Sequence, residues 1–239
     1  MGYVHWWGVG LFERTAMNGH RHARNWFGLA IIFTLAVGVG YWILIPEKAL
    51  PIIQPSDLNP ALVDPNQWEG KRHEVLPFEL MNHLGDTVTE VDVEGRIRVV
   101  DFFFTRCATL CPIMTSNMKL VQEALSHQDD WMLMSHSVTP EADSVSVLRE
   151  YANRYEADSA HWWFLTGPKK HIYNLARQSY FVCYDESQGG DGGWQDFIHT
   201  ENIVLVDRQG RLRGFYDGTD LKSVNQLIED ALWLIEKKD

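Results

Sequence analysis

The sequence predicts an α/β fold in which parallel strands come first and an antiparallel pair comes last. Three observations support this. After about Gly70, short apolar runs alternate with segments of helical periodicity. The run Ile97–Phe104 (IRVVDFFF) suits a central strand buried on both faces. The runs Ile203–Asp207 and Leu212–Tyr216 flank the turn sequence Arg208–Arg211, so we expect them to pair as a hairpin.

The other elements follow in chain order from the same patterns. Pro112 opens a helix where the missing N–H removes no intrahelical hydrogen bond. The apolar stripe of that helix consists of Met114, Met118, Val121 and Leu125. Next come a strand at Trp131–Val138, a helix at Ser144–Tyr155, a strand at Trp163–Leu165 and a helix at His171–Gln178; after the hairpin, Asp220 caps a helix that runs to about Lys237. The order is βαβαββα, with an N-terminal extension that has room for a hairpin. It is the order of the thioredoxin fold.

The segment Trp26–Ile45 predicts one transmembrane helix. Its twenty residues include no charged side chain and span about 30 Å at helical rise, the thickness of the hydrocarbon core. Arg14, Arg21 and Arg24 precede it, so the positive-inside rule keeps residues 1–25 in the cytoplasm and exports the rest. Because no small-residue cleavage pattern follows, we expect an uncleaved anchor rather than a signal peptide.

A proline-rich segment separates the predicted anchor from the predicted domain. Five of the nine prolines lie within residues 46–69, spaced regularly among polar residues. Such spacing disfavours helix and interior strand. We therefore expect an extended tether that holds the domain, residues 70–239, away from the membrane.

The exported part of the chain is acidic. It has 18 basic and 31 acidic side chains, a formal charge of about −13. This charge argues against nucleic acid and anionic lipid as partners, and it suits a cation or a basic protein.

Cys107 and Cys111 are the candidate functional residues, because they lie where the central strand ends and a helix begins. Free N–H groups and the positive end of the helix dipole lower the pKa of a thiol at this position. If the first turn is helical, the three-residue spacer puts both sulfurs on one face, about one turn apart. Such a pair can close a disulfide or hold one soft metal ion. In an oxidising compartment, two inert buried cysteines are the weaker interpretation.

Several motifs match one known family. They are Val99–Thr105, Cys107-x-x-x-Cys111-Pro112 with Met114, Trp163–Gly167, His199 ahead of Ile203–Asp207, Gly210, and Tyr216–Gly218. Together they resemble the Sco (SenC) family of cytochrome oxidase assembly proteins over about residues 75–237, and the single N-terminal anchor is also common in that family. The resemblance implies a thioredoxin-like fold and one copper ion, Cu(I) or Cu(II), bound by Cys107, Cys111 and His199. It also implies delivery of copper to the CuA centre of cytochrome oxidase, or reduction of that centre's cysteines.

The resemblance selects His199 from ten histidines. It lies just before a predicted strand, on the loop that faces the cysteine turn in thioredoxin-like folds. Ordinary disulfide exchangers have a cis-proline there, whereas this chain has no proline after Pro168. Two thiolates suit Cu(I) and an added imidazole accommodates Cu(II), although zinc would accept the same residues with a fourth ligand.

Three features stand outside these motifs. Thr139 occurs where the family usually has aspartate, so any role of that aspartate in metal transfer would fall to Glu141 or Asp143. We expect Cys183 to be a buried strand residue rather than a resolving thiol. The glycine-rich loop Asp185–Gln195 is typical of a lid or an insertion.

The predicted function is a membrane-anchored copper metallochaperone, a metal-binding assembly factor rather than an enzyme. A thiol–disulfide oxidoreductase of the same fold is the alternative. A peroxiredoxin-type peroxidase is the third hypothesis, since Arg106 adjoins Cys107 and could stabilise the attacked peroxide. The expected partner is the CuA-bearing subunit of cytochrome c oxidase, or another copper or thiol protein. We expect the domain in a bacterial periplasm, on the inner membrane, with the mitochondrial intermembrane space as the alternative.

Overall fold

The computed structural model describes residues 12–44, 49–59, 73–182 and 200–237, with the side chains of 26–42 and 44 in the first range. The chain divides into two units, Met1–Ala49 and Leu50–Asp239. In the first unit, residues Phe12–Leu44 form helix α1. No helix within the described part of the chain is both long and apolar enough to cross a membrane. The transmembrane helix predicted at 26–45 is therefore helical as far as Leu44 but is not confirmed as a span.

The second unit is built on one seven-stranded sheet. Its strands are β1 (Glu79–Asn82), β2 (Thr87–Thr89), β3 (Ile97–Phe103), β4 (Trp131–Ser137), β5 (Trp162–Thr166), β6 (Asn202–Val206) and β7 (Leu212–Asp217). They lie in the order β2-β1-β5-β4-β3-β6-β7. Strands β3, β4 and β5 are parallel, whereas β6 and β7 at one side and the hairpin β1–β2 at the other are added antiparallel. The predicted α/β class and the N-terminal hairpin are confirmed, but from β3 onward the elements run βαβαβαββα, one strand and one helix more than the predicted βαβαββα.

Helices pack on both faces of this sheet. They are α2 (Leu110–Leu125), α3 (Val145–Arg154), α4 (Lys169–Asn174), which continues as a π-helical turn at Leu175–Ser179, and α5 (Leu221–Glu236). Alternation along β3 divides the core in two. Val99 and Phe103 join the cluster formed with α2, α3 and α5, while Val100 and Phe102 join the cluster formed with α4 and the hairpin. Each fully buried side chain of this size stabilises the fold by about 1.5–3 kcal/mol.

Helix α2 begins two residues earlier than predicted, at Leu110 rather than Pro112. The first four N–H groups of a helix have no intrahelical acceptor, so proline is tolerated as the third residue as well as the first. The predicted stripe of α2 is confirmed, because its four members are at most 1% exposed. The earlier start places Cys111 inside the first helical turn.

Part of the segment predicted as a tether, residues 50–53, packs on β7, while 46–48 and 60–69 lie outside the described residues. The guanidinium of Arg213 donates to the carbonyls of Leu50 (2.8 Å) and Pro51 (3.0 Å). The N–H of Ile53 donates to the carbonyl of Leu212 (2.9 Å). These contacts give acceptors to a buried guanidinium and a donor to the outer edge of β7. The second unit accordingly includes residues from Leu50 onward.

Candidate functional site

The cysteine turn connects the end of β3 to the start of α2. The N–H of Cys107 donates to the carbonyl of Phe104 (3.2 Å), which closes the turn. The sulfur of Cys107 then accepts from the N–H of Cys111 (3.4 Å), and the hydroxyl of Thr109 lies 3.9 Å from it. Both cysteines are free thiols; Cys107 is half-buried and Cys111 is buried. The two residues therefore lie close together, but α2 begins only at Leu110, so Cys107 lies before the helix and not one helical turn from Cys111.

The two thiols differ in acidity. Burial raises the pKa of Cys107, but hydrogen bonds from the backbone and side chains of Cys111 and Thr109 stabilise its thiolate and lower the pKa from 9.0 to about 7. Burial raises the pKa of Cys111 to about 12, and the neighbouring Cys107 and Asp101 add to the effect while the backbone of Phe104 opposes it. At neutral pH the outer cysteine is therefore partly ionised and the inner one is protonated.

A cavity of about 310 Å³ opens beside the two cysteines. Phe102, Phe104 and Leu110 give it apolar walls, and Arg106 and Thr200 also line it. Thr200 is buried and directly follows His199 in the chain. His199 itself, like Cys183 and the loop Asp185–Gln195, lies outside the described residues.

A buried carboxylate that sequence reasoning missed lies on β3 below the cysteines. The hydroxyl of Ser135 donates to Asp101 (2.5 Å) and accepts from the indole N–H of Trp162 (2.9 Å). Burial raises the pKa of Asp101 to about 7, and the Ser135 hydrogen bond opposes part of that rise. The available signal was an aspartate within the apolar run Val99–Phe104, six residues before Cys107.

A second buried carboxylate is Asp143, in the loop after β4, which sequence reasoning considered only as a substitute for the family aspartate. Its side chain is fully buried and accepts hydrogen bonds from Thr105, Ser137 and Thr139. Of the two acids considered as substitutes for the family aspartate, Glu141 is exposed and Asp143 is not. Asp143 therefore cannot present its carboxylate to an approaching metal ion.

The two cysteines suit a soft cation. Two adjacent sulfur donors that can both be deprotonated are the ligands that Cu(I) prefers. Within the described ranges, no group of three His, Cys, Asp or Glu side chains could hold a metal ion. The third predicted donor, His199, falls in the gap between residues 182 and 200.

Two other histidines stack on aromatic side chains. His136 is enclosed in the core, with its ring stacked on Phe102 at a centroid distance of 4.9 Å, and burial lowers its pKa to about 4. His161 stacks on Trp131 at 4.6 Å and pairs with Asp158. Trp131 is the first residue of β4, so His161 lies at the N-terminal ends of the parallel strands, whereas the cysteine turn follows their C-terminal ends.

Comparison with known sequences identifies the family. The family model described as SCO1/SenC matches residues 66–236. The SCO1 protein homolog of Bacillus subtilis (strain 168) is 31% identical over 161 residues, which are 66% of this chain and 81% of that protein.

Solved structures agree with this result. BsSco, described as a member of the Sco family of cytochrome c oxidase assembly proteins, is 30% identical with a TM-score of 0.59, covering 70% of this chain and 95% of its own. ScoI of Bradyrhizobium japonicum, solved with copper bound, is 25% identical with a TM-score of 0.54, covering 67% and 99%. The chain belongs to the SCO1/SenC family and has its thioredoxin-like fold.

Proposed function

We propose that this protein is a copper metallochaperone that binds one copper ion through Cys107, Cys111 and His199. The observation that carries the proposal is the thiol pair at the start of α2, in which an accessible, easily ionised sulfur lies against a buried one. Membership of the SCO1/SenC family and the copper-bound ScoI structure support copper as the metal.

The pKa values of the two thiols determine how copper binding depends on pH. Metal ligands bind in the deprotonated form, and Cys107 reaches that form near neutral pH. Cys111 keeps its proton until a cation displaces it, so loading releases a proton and becomes stronger as pH rises. A soft monovalent ion is satisfied by two thiolates, which makes Cu(I) the preferred form for this pair alone.

His199 is proposed as the third ligand. Its chain neighbour Thr200 is buried and lines the same cavity as Cys107 and Cys111, which supports an approach of this segment to the cysteine turn. An imidazole added to two thiolates extends binding to Cu(II).

The proposed recipient is the CuA-bearing subunit of cytochrome c oxidase. The description of BsSco as a member of a family of cytochrome c oxidase assembly proteins supports this choice. The acidic surface of the exported part suits a basic partner. The proposed location is the periplasmic side of the inner membrane, with residues 26–45 as the anchor, and the mitochondrial intermembrane space is the alternative. The charge-free run and the arginines before it support the anchor.

Metal analysis of the reduced full-length chain tests the copper proposal. We expect one copper per chain after anaerobic Cu(I) loading and desalting. Cys107→Ser and Cys111→Ser should each lose it, whereas Cys183→Ser, which changes the third cysteine, should retain it. Loss of copper in Cys183→Ser alone, or no retained copper in the unmodified chain, would exclude the proposed ligands.

Membrane fractionation tests the anchor separately. The full-length chain should sediment with membranes and resist alkaline extraction, while a fragment starting at Leu50 should be released. Full-length protein in the soluble fraction of cells would contradict the anchor and leave the copper proposal untouched.

A thiol–disulfide oxidoreductase is the second candidate, and the acidity of the pair favours it. A thiolate at Cys107 can attack a partner disulfide, which forms a mixed disulfide and releases one partner thiolate. Cys111 must then give up its proton, and its thiolate attacks the Cys107 sulfur; the Cys107–Cys111 bridge forms, the second partner thiolate leaves, and the partner has gained two electrons and two protons. Stoichiometric reduction of a partner disulfide by chains that retain no copper, with the Cys107–Cys111 bridge as the product, would favour this function. The peroxidase hypothesis depends on Arg106 beside Cys107. It has less support, since the hydrogen bond to the Cys107 sulfur comes from the Cys111 amide. Consumption of peroxide with dithiothreitol would restore it.

A further inference from the structure

Asp143 joins three segments at the edge of the sheet where the parallel strands end. Its first oxygen accepts from the hydroxyl of Thr105 (2.5 Å). Its second oxygen accepts from the N–H of Thr105 (3.2 Å), from the hydroxyl of Ser137 (2.6 Å) and from the hydroxyl of Thr139 (3.0 Å). The side chain is fully buried, so these hydrogen bonds replace the water that a carboxylate would otherwise require.

The loop that carries Asp143 is itself fixed. The N–H groups of Ala142 and Asp143 both donate to the carbonyl of Thr139, at 2.9 and 3.0 Å. The N–H of Val138 donates to the carbonyl of Phe103 (2.9 Å), which ties the end of β4 to the end of β3. The position of Asp143 is therefore fixed by the sheet, so its carboxylate can hold the groups that donate to it in place.

The shortest hydrogen bond to Asp143 comes from the cysteine turn. Thr105 lies two residues before Cys107, and both its N–H and its hydroxyl end on the one carboxylate. The turn that follows closes through the bond from Cys107 to Phe104, and it places the Cys107 sulfur 3.4 Å from the N–H of Cys111. A shift of Thr105 would move this sulfur relative to the first turn of α2.

We propose that Asp143 is a positioning residue, which holds the turn at Thr105 so that the Cys107 sulfur faces the N–H groups at the start of α2. The proposal rests on Cys107 and Cys111 being the working pair. Asp143 touches neither copper nor partner in this role; it acts through Thr105.

The reduction potential of the Cys107–Cys111 disulfide tests this role, measured in copper-free full-length chains equilibrated with glutathione. Hydrogen bonds to the thiolate favour the reduced pair, so a turn that has moved makes reduction less favourable. We expect Asp143→Asn and Thr105→Val each to lower the equilibrium constant for reduction by roughly tenfold, or about 30 mV. Thr105→Ser retains the hydroxyl and should restore the original potential.

Two outcomes would overturn the proposal. Removal of a negative charge by itself favours the thiolate, so a more positive potential in Asp143→Asn would show that the carboxylate acts only through its charge. Unchanged potentials with lowered melting temperatures in both variants would show a purely structural role. If Asp143→Asn does not fold, Thr105→Val and Thr105→Ser decide the question, since neither changes charge.

Ser137→Ala is the matched control, because it removes one hydrogen bond to the same oxygen and leaves both Thr105 bonds in place. It should lower stability without changing the potential, and a shift as large as that of Thr105→Val would count against a specific role for the turn. The measurement uses copper-free chains, so its result does not depend on whether the protein binds copper. The two proposals can therefore fail separately.

Discussion

The backbone N–H of Cys111 lies 3.4 Å from the sulfur of Cys107, so the first turn of α2 donates directly to the outer cysteine. The inner cysteine supplies the amide and keeps its own sulfur buried. One residue therefore stabilises the thiolate of the other, and the pair is divided into a nucleophilic sulfur and a protonated one.

This relationship predicts selective reaction of Cys107. Because its pKa is about 7, alkylation by iodoacetamide should rise with an apparent pKa near 7, while Cys111 stays unmodified until well above pH 9. Mass spectrometry of peptides from the copper-free reduced chain, across pH 5 to 10, measures both rates. Cys111→Ser keeps the backbone N–H and should retain most of the Cys107 reactivity. Faster labelling of Cys111 than of Cys107 at pH 7 would contradict the assignment.

His199→Ala should separate the two oxidation states of copper. Two thiolates remain, so Cu(I) binding should stay within about tenfold, whereas Cu(II) binding and its thiolate-to-copper absorption should largely disappear. In the unmodified chain, Cu(II) binding should fail in acid below the ordinary imidazole pKa of about 6.5, because metal and proton compete for the ring. Absorption spectra after Cu(II) addition measure this.

The control for that variant is His127→Ala. His127 is exposed and follows the far end of α2, about 24 Å from the cysteines at helical rise. It should leave both oxidation states unaffected. An unchanged Cu(II) spectrum in His199→Ala would remove His199 from the site.

Asp101→Asn should change how stability depends on pH. The pKa of Asp101 is about 7 in the fold and about 3.8 in the unfolded chain, so the folded state binds its proton more tightly. The stability linked to this group is complete below pH 4 and is lost as pH rises through 7, on the order of 4 kcal/mol. Asparagine can still accept from Ser135 but cannot ionise, so the variant should be more stable than the unmodified domain at pH 8.

Urea unfolding of the Leu50–Asp239 unit at pH 5 and pH 8 measures the effect. The exposed Asp129→Asn variant serves as the control, and its difference from the unmodified domain should be the same at both values. A difference for Asp101→Asn that does not grow between pH 5 and pH 8 would contradict a raised pKa for this carboxyl.

Shortening the chain should distinguish the two domain boundaries. A fragment from Gly70 lacks the carbonyls that accept from Arg213 and the bond from Ile53 to Leu212. We expect its free energy of unfolding to be roughly 2–5 kcal/mol below that of a fragment from Leu50, because a buried guanidinium loses acceptors. Equal denaturation midpoints would show that residues 50–53 add nothing to the fold.

The sequence predicted the elements well wherever the signal was local. The strands at the centre of the sheet, the capping of α5 by Asp220 and the hairpin β6–β7 all follow from patterns within about ten residues. The start of α2 was misplaced because Pro112 is compatible with several positions in a first turn. The packing of Leu50 against Arg213 was missed since the two are 163 residues apart and neither has a local pattern that reports the contact.

The sequence by itself determined the fold class, the order of elements and the identity of the cysteine pair, because hydrophobic period and turn chemistry act over short distances. Only the tertiary structure decided which thiol ionises, because the pKa of Cys111 depends on burial among segments far apart in the chain. The tertiary structure also decided that Asp101 and Asp143 are buried, although aspartate as a residue type is mostly found at the surface. Both are buried, and their hydrogen-bond donors are Ser135 for Asp101 and Thr105 and Ser137 for Asp143. Desolvation and hydrogen-bond geometry are properties of the packed core, and they turn a motif of two cysteines into a site with distinct inner and outer sulfurs.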